Sequence, residues 1–358
     1  MKRDHGGNVR EISRIYGIDE DRIIDFSASI NPVGYPPGLQ EAIIKDFNSV
    51  LNYPDIDSFD LVSGIAEYHG IDKDYILVGN GSTEFMYWIP MVFKPENALI
   101  VTPAFSEYEK GLAISGTEVS YFQADEENDF TVDIDRLCNR MKEGFDIVYF
   151  CNPANPTGVL TLKNELCRFI ACAGEIGILA VIDEAFIDFM EDESVKKEIL
   201  VFPNLIVLRS MTKFFGIPGL RLGYLMADPS CIVKIREKRI PWTVSSLVQG
   251  AASKVLFDKD YIRKTREYIL PERDFLRNAL NKIPGLRAFE SAANFLLVSI
   301  NNKTGVNSTK LRDRLAAEGI LIRDCSNFQG LGNRYFRVAV KRHEQNMTLI
   351  EKLKHIME

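Results

Sequence analysis

Between about residue 34 and residue 227, short apolar runs alternate with amphipathic stretches. The runs cover 75–78, 98–101, 119–122, 147–151, 179–182, 205–208 and 222–226. Each is continuously apolar rather than alternating, as expected for a strand covered on both faces. Helix-like spacing fills several of the gaps, at 84–92, 106–115 and 163–175. Buried strands alternating with helices predict an α/β layer around a mostly parallel, seven-stranded sheet. The stretch before residue 34 is polar and turn-rich, and Asn31-Pro32-Val33-Gly34 and Tyr35-Pro36-Pro37-Gly38 punctuate it. After Pro241 a long helical stretch at 245–283 is expected to break near Pro271. Three β-rich pieces follow, at 288–300, 320–325 and 335–340. They predict a smaller α+β domain.

Composition narrows the class. The 358 residues are 46% hydrophobic and 26% charged, ordinary for a soluble globular enzyme of about two domains. With 43 Lys and Arg against 50 Asp and Glu, the net charge of −7 argues against a nucleic-acid partner. It leaves room only for local basic pockets. No apolar run reaches the ~18 residues of a membrane span, and the first residues carry no secretory-type apolar segment. The six cysteines form no C-x-x-C pair. A reduced, cytoplasmic protein with no metal site is the expectation.

Chemistry concentrates where apolar runs end. Val181-Ile182-Asp183-Glu184 closes a buried run on a carboxylate, and open α/β sheets bind ligands beyond the carboxyl ends of strands. Taken alone, Asp183 also reads as a polar residue that simply ends a strand. Ser210-Met211-Thr212-Lys213-Phe214 sets a lysine among apolar and small residues after another run. Desolvation there would lower the amine pKa and suit it to Schiff-base chemistry. Ser210 and Arg221 beside it supply a hydroxyl and a cation suited to a phosphate. Gly79-Asn80-Gly81-Ser82-Thr83 follows a strand and opens a helix, whose free N–H groups suit an anion. The third glycine of a dinucleotide fingerprint is missing, which excludes a Rossmann reading. Cys151-Asn152-Pro153-Ala154-Asn155-Pro156 presents amide side chains at the sheet edge.

An aspartate for a pyridinium nitrogen, a lysine for an imine and a phosphate cup are together what pyridoxal phosphate requires. The chain resembles the fold-type I pyridoxal-phosphate enzymes, in the branch of the histidinol-phosphate aminotransferases. Within that branch it is most similar to the L-threonine-O-3-phosphate decarboxylases of cobalamin biosynthesis. The resemblance runs through His5-Gly6-Gly7-Asn8, Asp25-Phe26-Ser27-Ala28, Tyr53-Pro54-Asp55, Asp183-Glu184-Ala185-Phe186, Thr212-Lys213-Phe214, the segment 217–224 and Ile322-Arg323. It implies that Lys213 carries the cofactor and Asp183 pairs with its ring nitrogen. Asn155 would bond the phenolic oxygen and Tyr108 would stack on the ring. Gly81, Ser82, Thr83, Ser210 and Arg221 would hold the cofactor phosphate, joined by Tyr53 from a partner subunit of a homodimer. Arg337, Arg323, His5, Ser29 and Asn155 would face the substrate.

Two departures stand out. Related aminotransferases carry Tyr where this chain has Phe186, and the decarboxylases carry Asn where it has Ser29. The resemblance implies decarboxylation of threonine phosphate to (R)-1-amino-2-propanol O-phosphate. The alternatives are transamination of histidinol phosphate and decarboxylation of serine phosphate. It also implies residues 1–34 as an arm that joins a small domain at 239–358, around a large domain at 35–238. A rival match exists to the S-x-x-K and K-T-G of penicillin-binding proteins, through Ser210, Lys213 and Lys303-Thr304-Gly305. It lacks an S-D-N, and its K-T-G falls in a polar run.

Overall fold

The computed structural model describes residues 5–301 and 305–357. Lys303 and Thr304 of the rival motif lie outside the described residues. Strand β1 is Ile24–Asp25. Strands β2 (Ile76–Gly79), β3 (Asn97–Thr102), β4 (Glu118–Gln123), β5 (Ile147–Cys151), β6 (Leu179–Asp183), β7 (Leu205–Ser210) and β8 (Gly223–Ala227) form one seven-stranded sheet. Its order is β2-β8-β7-β6-β5-β3-β4, and β8 runs antiparallel to both of its neighbours while the other pairs are parallel. All seven correspond to the apolar runs.

Period-two alternation explains why those runs are apolar throughout. Val148, Phe150, Ile182 and Val207 enter the core on one face; Tyr149, Val181, Ile206 and Leu208 enter the core on the other. The same alternation sorts the polar strand ends. Asp183 follows the second face, with Cys151 and Tyr108, whereas Glu184 and Arg209 fall on the first. There Arg209, 1% exposed, pairs with Glu184, Asp188 and Glu191. A charge this deep requires such partners.

The C-terminal region builds β9 (Leu286–Ala288), β10 (Phe295–Ile300), β11 (Ile320–Leu321), β12 (Arg323–Asp324) and β13 (Tyr335–Ala339). Four of these form a second sheet in the order β12-β13-β10-β9, and β11 pairs with β1 from the N-terminus. Phe26 N–H bonds the carbonyl of Leu321, and Phe26 lies in the C-terminal core with Leu296 and Phe336. The expected single piece at 288–300 is two antiparallel strands, because residues 289–294 turn the chain between them.

The long helical stretch breaks at 256–258, not at Pro271. Asp258 accepts from the N–H of Tyr261 and caps helix Lys259–Leu280, which continues through Pro271. Pro271 faces solvent, where water can satisfy the carbonyl it leaves unbonded. Tyr261 and Ile269 of this helix join the core of the large sheet, while Leu276 and Leu280 join the C-terminal core. One helix therefore ties the two bodies together. Among the described residues, no helix is long and apolar enough to cross a membrane.

Candidate active site

Strands β2, β3, β5, β6 and β7 end at one edge of the large sheet, and a cavity of about 330 Å³ opens beyond them. Asp183 and Ser210 reach it from adjacent strands, and Cys151 is the register partner of Asp183. Lys213 enters from helix Met211–Phe214, whose N-cap Ser210 accepts from the N–H of Thr212. Asn31 fastens that short helix: its N–H bonds the Lys213 carbonyl at 3.1 Å and its Nδ2 bonds the Phe214 carbonyl at 2.7 Å.

Burial shifts both ionisable groups toward their neutral forms. Burial, reinforced by the charges of Arg337 and Arg221, lowers the Lys213 amine from 10.5 to about 8. Burial raises the Asp183 carboxyl from 3.8 to about 6, although hydrogen bonds from Tyr108 and the N–H of Ala185 and the charge of Lys213 oppose it. A cation placed against Asp183 would compensate this burial cost.

Tyr108 differs from its expected position. Its ring lies against Tyr149 at a centroid distance of 5.2 Å, it does not line the cavity, and its hydroxyl donates to Asp183 at 2.5 Å. Helix Glu107–Ile114 turns it inward, so the aromatic surface in the cavity belongs to Phe105. Tyr108 thus holds the carboxylate instead of offering a stacking face.

The anion cup is built by close approach. Gly81 has φ +77°, and a Cβ there would lie 2.6 Å from Arg221 Nη2. At Gly223 a Cβ would lie 2.3 Å from the N atom of Ser82, so only glycine lets β8 reach this turn. Helix Thr83–Phe93 begins here with its first N–H groups directed outward. Ser82, Thr83, Ser210 and Arg221 all border the cavity, so hydroxyls, a helix N-terminus and a guanidinium converge. These residues fit a phosphate, and Asp183 and Lys213 beside them fit a pyridine ring and its aldehyde.

The C-terminal sheet supplies another set of cations. Arg323 on β12 and Arg337 on β13 are direct register partners, and each is 7% exposed. Like charges opposite each other on neighbouring strands are unfavourable. Arg337 forms no ion pair among the described residues; it donates to the Ser27 carbonyl at 3.0 Å and to Asn155 Oδ1. Burial and the neighbouring Arg323 lower its guanidinium to about 10. Arg323 donates to Asn327 at 2.8 Å and lies over the Phe328 ring. Ser29, 1% exposed, also lines the cavity, with Oγ lacking a partner among the described residues. His5 completes the lining.

Of the site residues that the resemblance implies, Tyr53 stands away from the cavity, without contact to its polar groups among the described residues. It is 84% exposed and packs against Trp242. Asn152 of the first Asn-Pro step is structural: it clips Thr161 through both N–H and carbonyl. Phe105, Thr212 and Phe328 also line the cavity, and the sequence pattern does not single them out. Phe105 carries a legible signal, an aromatic three residues before Tyr108 at a strand end; the loop that bears Phe328 carries none. Asp25 is a further functional contributor. It accepts from Ser27 N and Oγ at 2.8 and 2.5 Å and so shapes the loop that bears Ser29.

A seven-stranded sheet with lysine and aspartate at its strand ends, beside a glycine-bordered anion cup, defines a fold-type I pyridoxal-phosphate architecture. The chain belongs to the aminotransferase class I and II family, whose model matches residues 21–353. It is 36% identical over 355 residues to the threonine-phosphate decarboxylase of Salmonella typhimurium, covering 99% of this chain and 96% of that one. Among solved structures, the histidinol-phosphate aminotransferase of Clostridium acetobutylicum superposes with a TM-score of 0.86 at 32% identity, covering 93% of this chain and 98% of that one. The L-threonine-O-3-phosphate decarboxylase of Porphyromonas gingivalis gives 0.83 at 27% identity over the same shares.

Proposed function

We propose that this chain is a pyridoxal-phosphate-dependent decarboxylase that converts L-threonine O-3-phosphate to (R)-1-amino-2-propanol O-phosphate, a step of cobalamin biosynthesis. The observation that carries the reading is the opposed pair Arg323 and Arg337, two buried cations lining one cavity with Lys213. A dianionic phosphate between them offsets their repulsion and the burial of Arg337, which forms no ion pair among the described residues. Similarity to the Salmonella decarboxylase supports the same substrate class.

When bound, pyridoxal phosphate supplies the electron sink for the bond broken at the substrate Cα. Lys213 would hold it, Asp183 would face its ring nitrogen, and Phe105 would cover its ring. Asn155 has its Oδ1 committed to Arg337, which leaves Nδ2 to donate to the phenolic oxygen. Phe186 offers no hydroxyl there and packs edge-on against Phe295. The residues at Gly81, Ser82, Thr83, Ser210 and Arg221 would take the cofactor phosphate.

The choice of bond is geometric. The residues that grip the substrate would decide which bond at Cα is left free to break. With the arginines, His5 and Ser29 gripping the side-chain phosphate, the substrate carboxylate would be left without a cationic partner, the arrangement from which CO2 can be lost. Lys213 Nζ, with its lowered basicity, would be the group to return a proton to Cα. An arginine gripping the carboxylate would instead hold it back and favour transamination.

The pyridoxal-phosphate-loaded protein is therefore expected to release CO2 from L-threonine O-3-phosphate without any added 2-oxo acid. L-Serine O-phosphate, run in parallel, tests what Ser29 changes. Glutamate formation from 2-oxoglutarate with histidinol phosphate as the amine donor, with no CO2 from either phosphoamino acid, would overturn the assignment.

The proposal extends to a homodimer with Tyr53 acting on the partner's site. Tyr53, 84% exposed, packs against the half-exposed Trp242, and Leu51, two positions before it in the chain, is 82% exposed, so this segment offers apolar surface to a partner. Sedimentation of the active protein is expected to give a two-chain species, and full activity in a monomer would contradict the shared site.

A further inference from the structure

His5 reaches the cavity from the N-terminal arm. The helix that follows, Val9–Tyr16, fully buries none of its residues, and residues 5–7 make the arm's contacts at the cavity. Gly7 N–H donates to Ser27 Oγ at 2.8 Å. Gly6 lies so close to the same loop that a Cβ would stand 2.4 Å from the Ser27 carbonyl oxygen. The third contact is the imidazole itself, with Nε2 2.9 Å from Oε1 of Glu107 and its ring 5.5 Å from that of Phe105.

Glu107 does not line the cavity and is 7% exposed. Its carboxylate is fixed from two other directions: Tyr87 donates its hydroxyl at 2.5 Å and Lys110 its ammonium at 2.9 Å. Burial works against the charge, yet these donors and His5 bring the carboxyl below its ordinary range, so it stays ionised. A carboxylate facing Nε2 requires a proton on that nitrogen, which fixes the tautomer. Nδ1 is then the ring nitrogen left for a ligand. A phosphate oxygen can bond there only if Nδ1 takes a proton, which makes the ring an imidazolium. Glu107 offsets that charge, whereas Arg323 and Arg337 in the same cavity and Lys110 beside Glu107 oppose it.

We infer that Glu107 is a positioning residue for the substrate phosphate: it holds His5 over the cavity and supplies the negative charge that lets the imidazole bind the anion through Nδ1 while Nε2 stays on the carboxylate. The inference rests on the reading that the substrate is a phosphorylated amino acid. It adds a residue that acts only through another and carries no part in the bond-breaking step.

In the holoenzyme, Glu107→Gln is expected to raise KM for L-threonine O-3-phosphate about five- to tenfold with kcat changed less than about twofold, as a charge-assisted bond becomes a neutral one. Affinity for inorganic phosphate, measured by calorimetry on the same holoenzyme, should fall by a similar factor. His5→Ala should weaken both at least as much, and adding Glu107→Gln to it should do nothing more. Tyr87→Phe loosens the same carboxylate without removing its charge. It should give a weaker effect of the same pattern, which tests the inference even if Glu107→Gln folds poorly. Unchanged phosphate affinity in Glu107→Gln, or an effect that persists in the His5→Ala background, would overturn the inference. Absence of CO2 from the wild-type enzyme with phosphate binding still dependent on Glu107 would instead count against the decarboxylase reading alone.

Discussion

Lys213→Ala is expected to lower turnover by at least about 10⁴-fold, the upper end of what one positioned acid–base group contributes, and to abolish retention of pyridoxal phosphate through gel filtration. The loss is chemical rather than structural. Asn31 grips the backbone of residues 213 and 214, not the side chain, so helix Met211–Phe214 should persist. Removing the amine also removes a cation that burial and two nearby arginines disfavour. Circular dichroism and melting should therefore match wild type while the visible absorbance of the loaded protein disappears. In the wild-type protein, capture of the cofactor aldehyde should accelerate as pH rises through about 8, where the neutral amine forms, rather than near the ordinary 10.5. Retained turnover in the variant would show that Lys213 is not the residue that carries the cofactor.

Asp183→Asn should separate stability from function. Folding raises this carboxyl from 3.8 to about 6, so between those values the folded state binds more protons than the unfolded one. Ionisation therefore opposes folding: the cost grows as pH rises from about 4 and is complete above about 6. The amide avoids that cost: its one oxygen can accept from the N–H of Ala185, and its NH2, in place of the oxygen that accepts from Tyr108, can donate to the Tyr108 hydroxyl. At pH 7 the cofactor-free variant is expected to be more stable than wild type by up to about 3 kcal/mol, and the gain should vanish below about pH 4. Its turnover with pyridoxal phosphate should fall by about 10²- to 10³-fold, as for loss of one preorganised electrostatic partner. Chemical denaturation at pH 4 and pH 7 and steady-state kinetics read the two halves separately. Near-normal activity would show that the carboxylate does not face the ring nitrogen.

Why Asp183 is legible in the chain and the place of Phe105 is not follows from the range of the forces involved. A buried strand is apolar over its whole length, so the residue that ends it is conspicuous. That makes Asp183, the Cys151 turn, Ser210 and the glycine turn at Gly79–Gly81 legible as neighbours at one sheet edge. Which way a side chain points after the strand ends is set by packing. The resemblance puts Tyr108 against a ring, yet its helix carries it under the sheet edge to Asp183 and leaves Phe105 in the cavity. Pro271 misleads for a related reason: a proline breaks a helix only where its missing hydrogen bond cannot be replaced, and this one faces water.

The seven buried strands and the polar residues at their carboxyl ends follow from the chain alone, because period and composition act over a few residues. So does the chemistry available there, a desolvated lysine beside hydroxyls, glycines and an arginine. The substrate half of the cavity exists only once the chain has folded. Arg323 and Arg337 are 14 positions apart in the chain, and antiparallel register sets one opposite the other. His5 arrives through an arm held by Ser27 and Glu107, and Ser29 through the pairing of β1 with β11. Those contacts join distant segments, so no local pattern encodes them. They turn an acidic chain of net charge −7 into one with a concentrated cationic cavity.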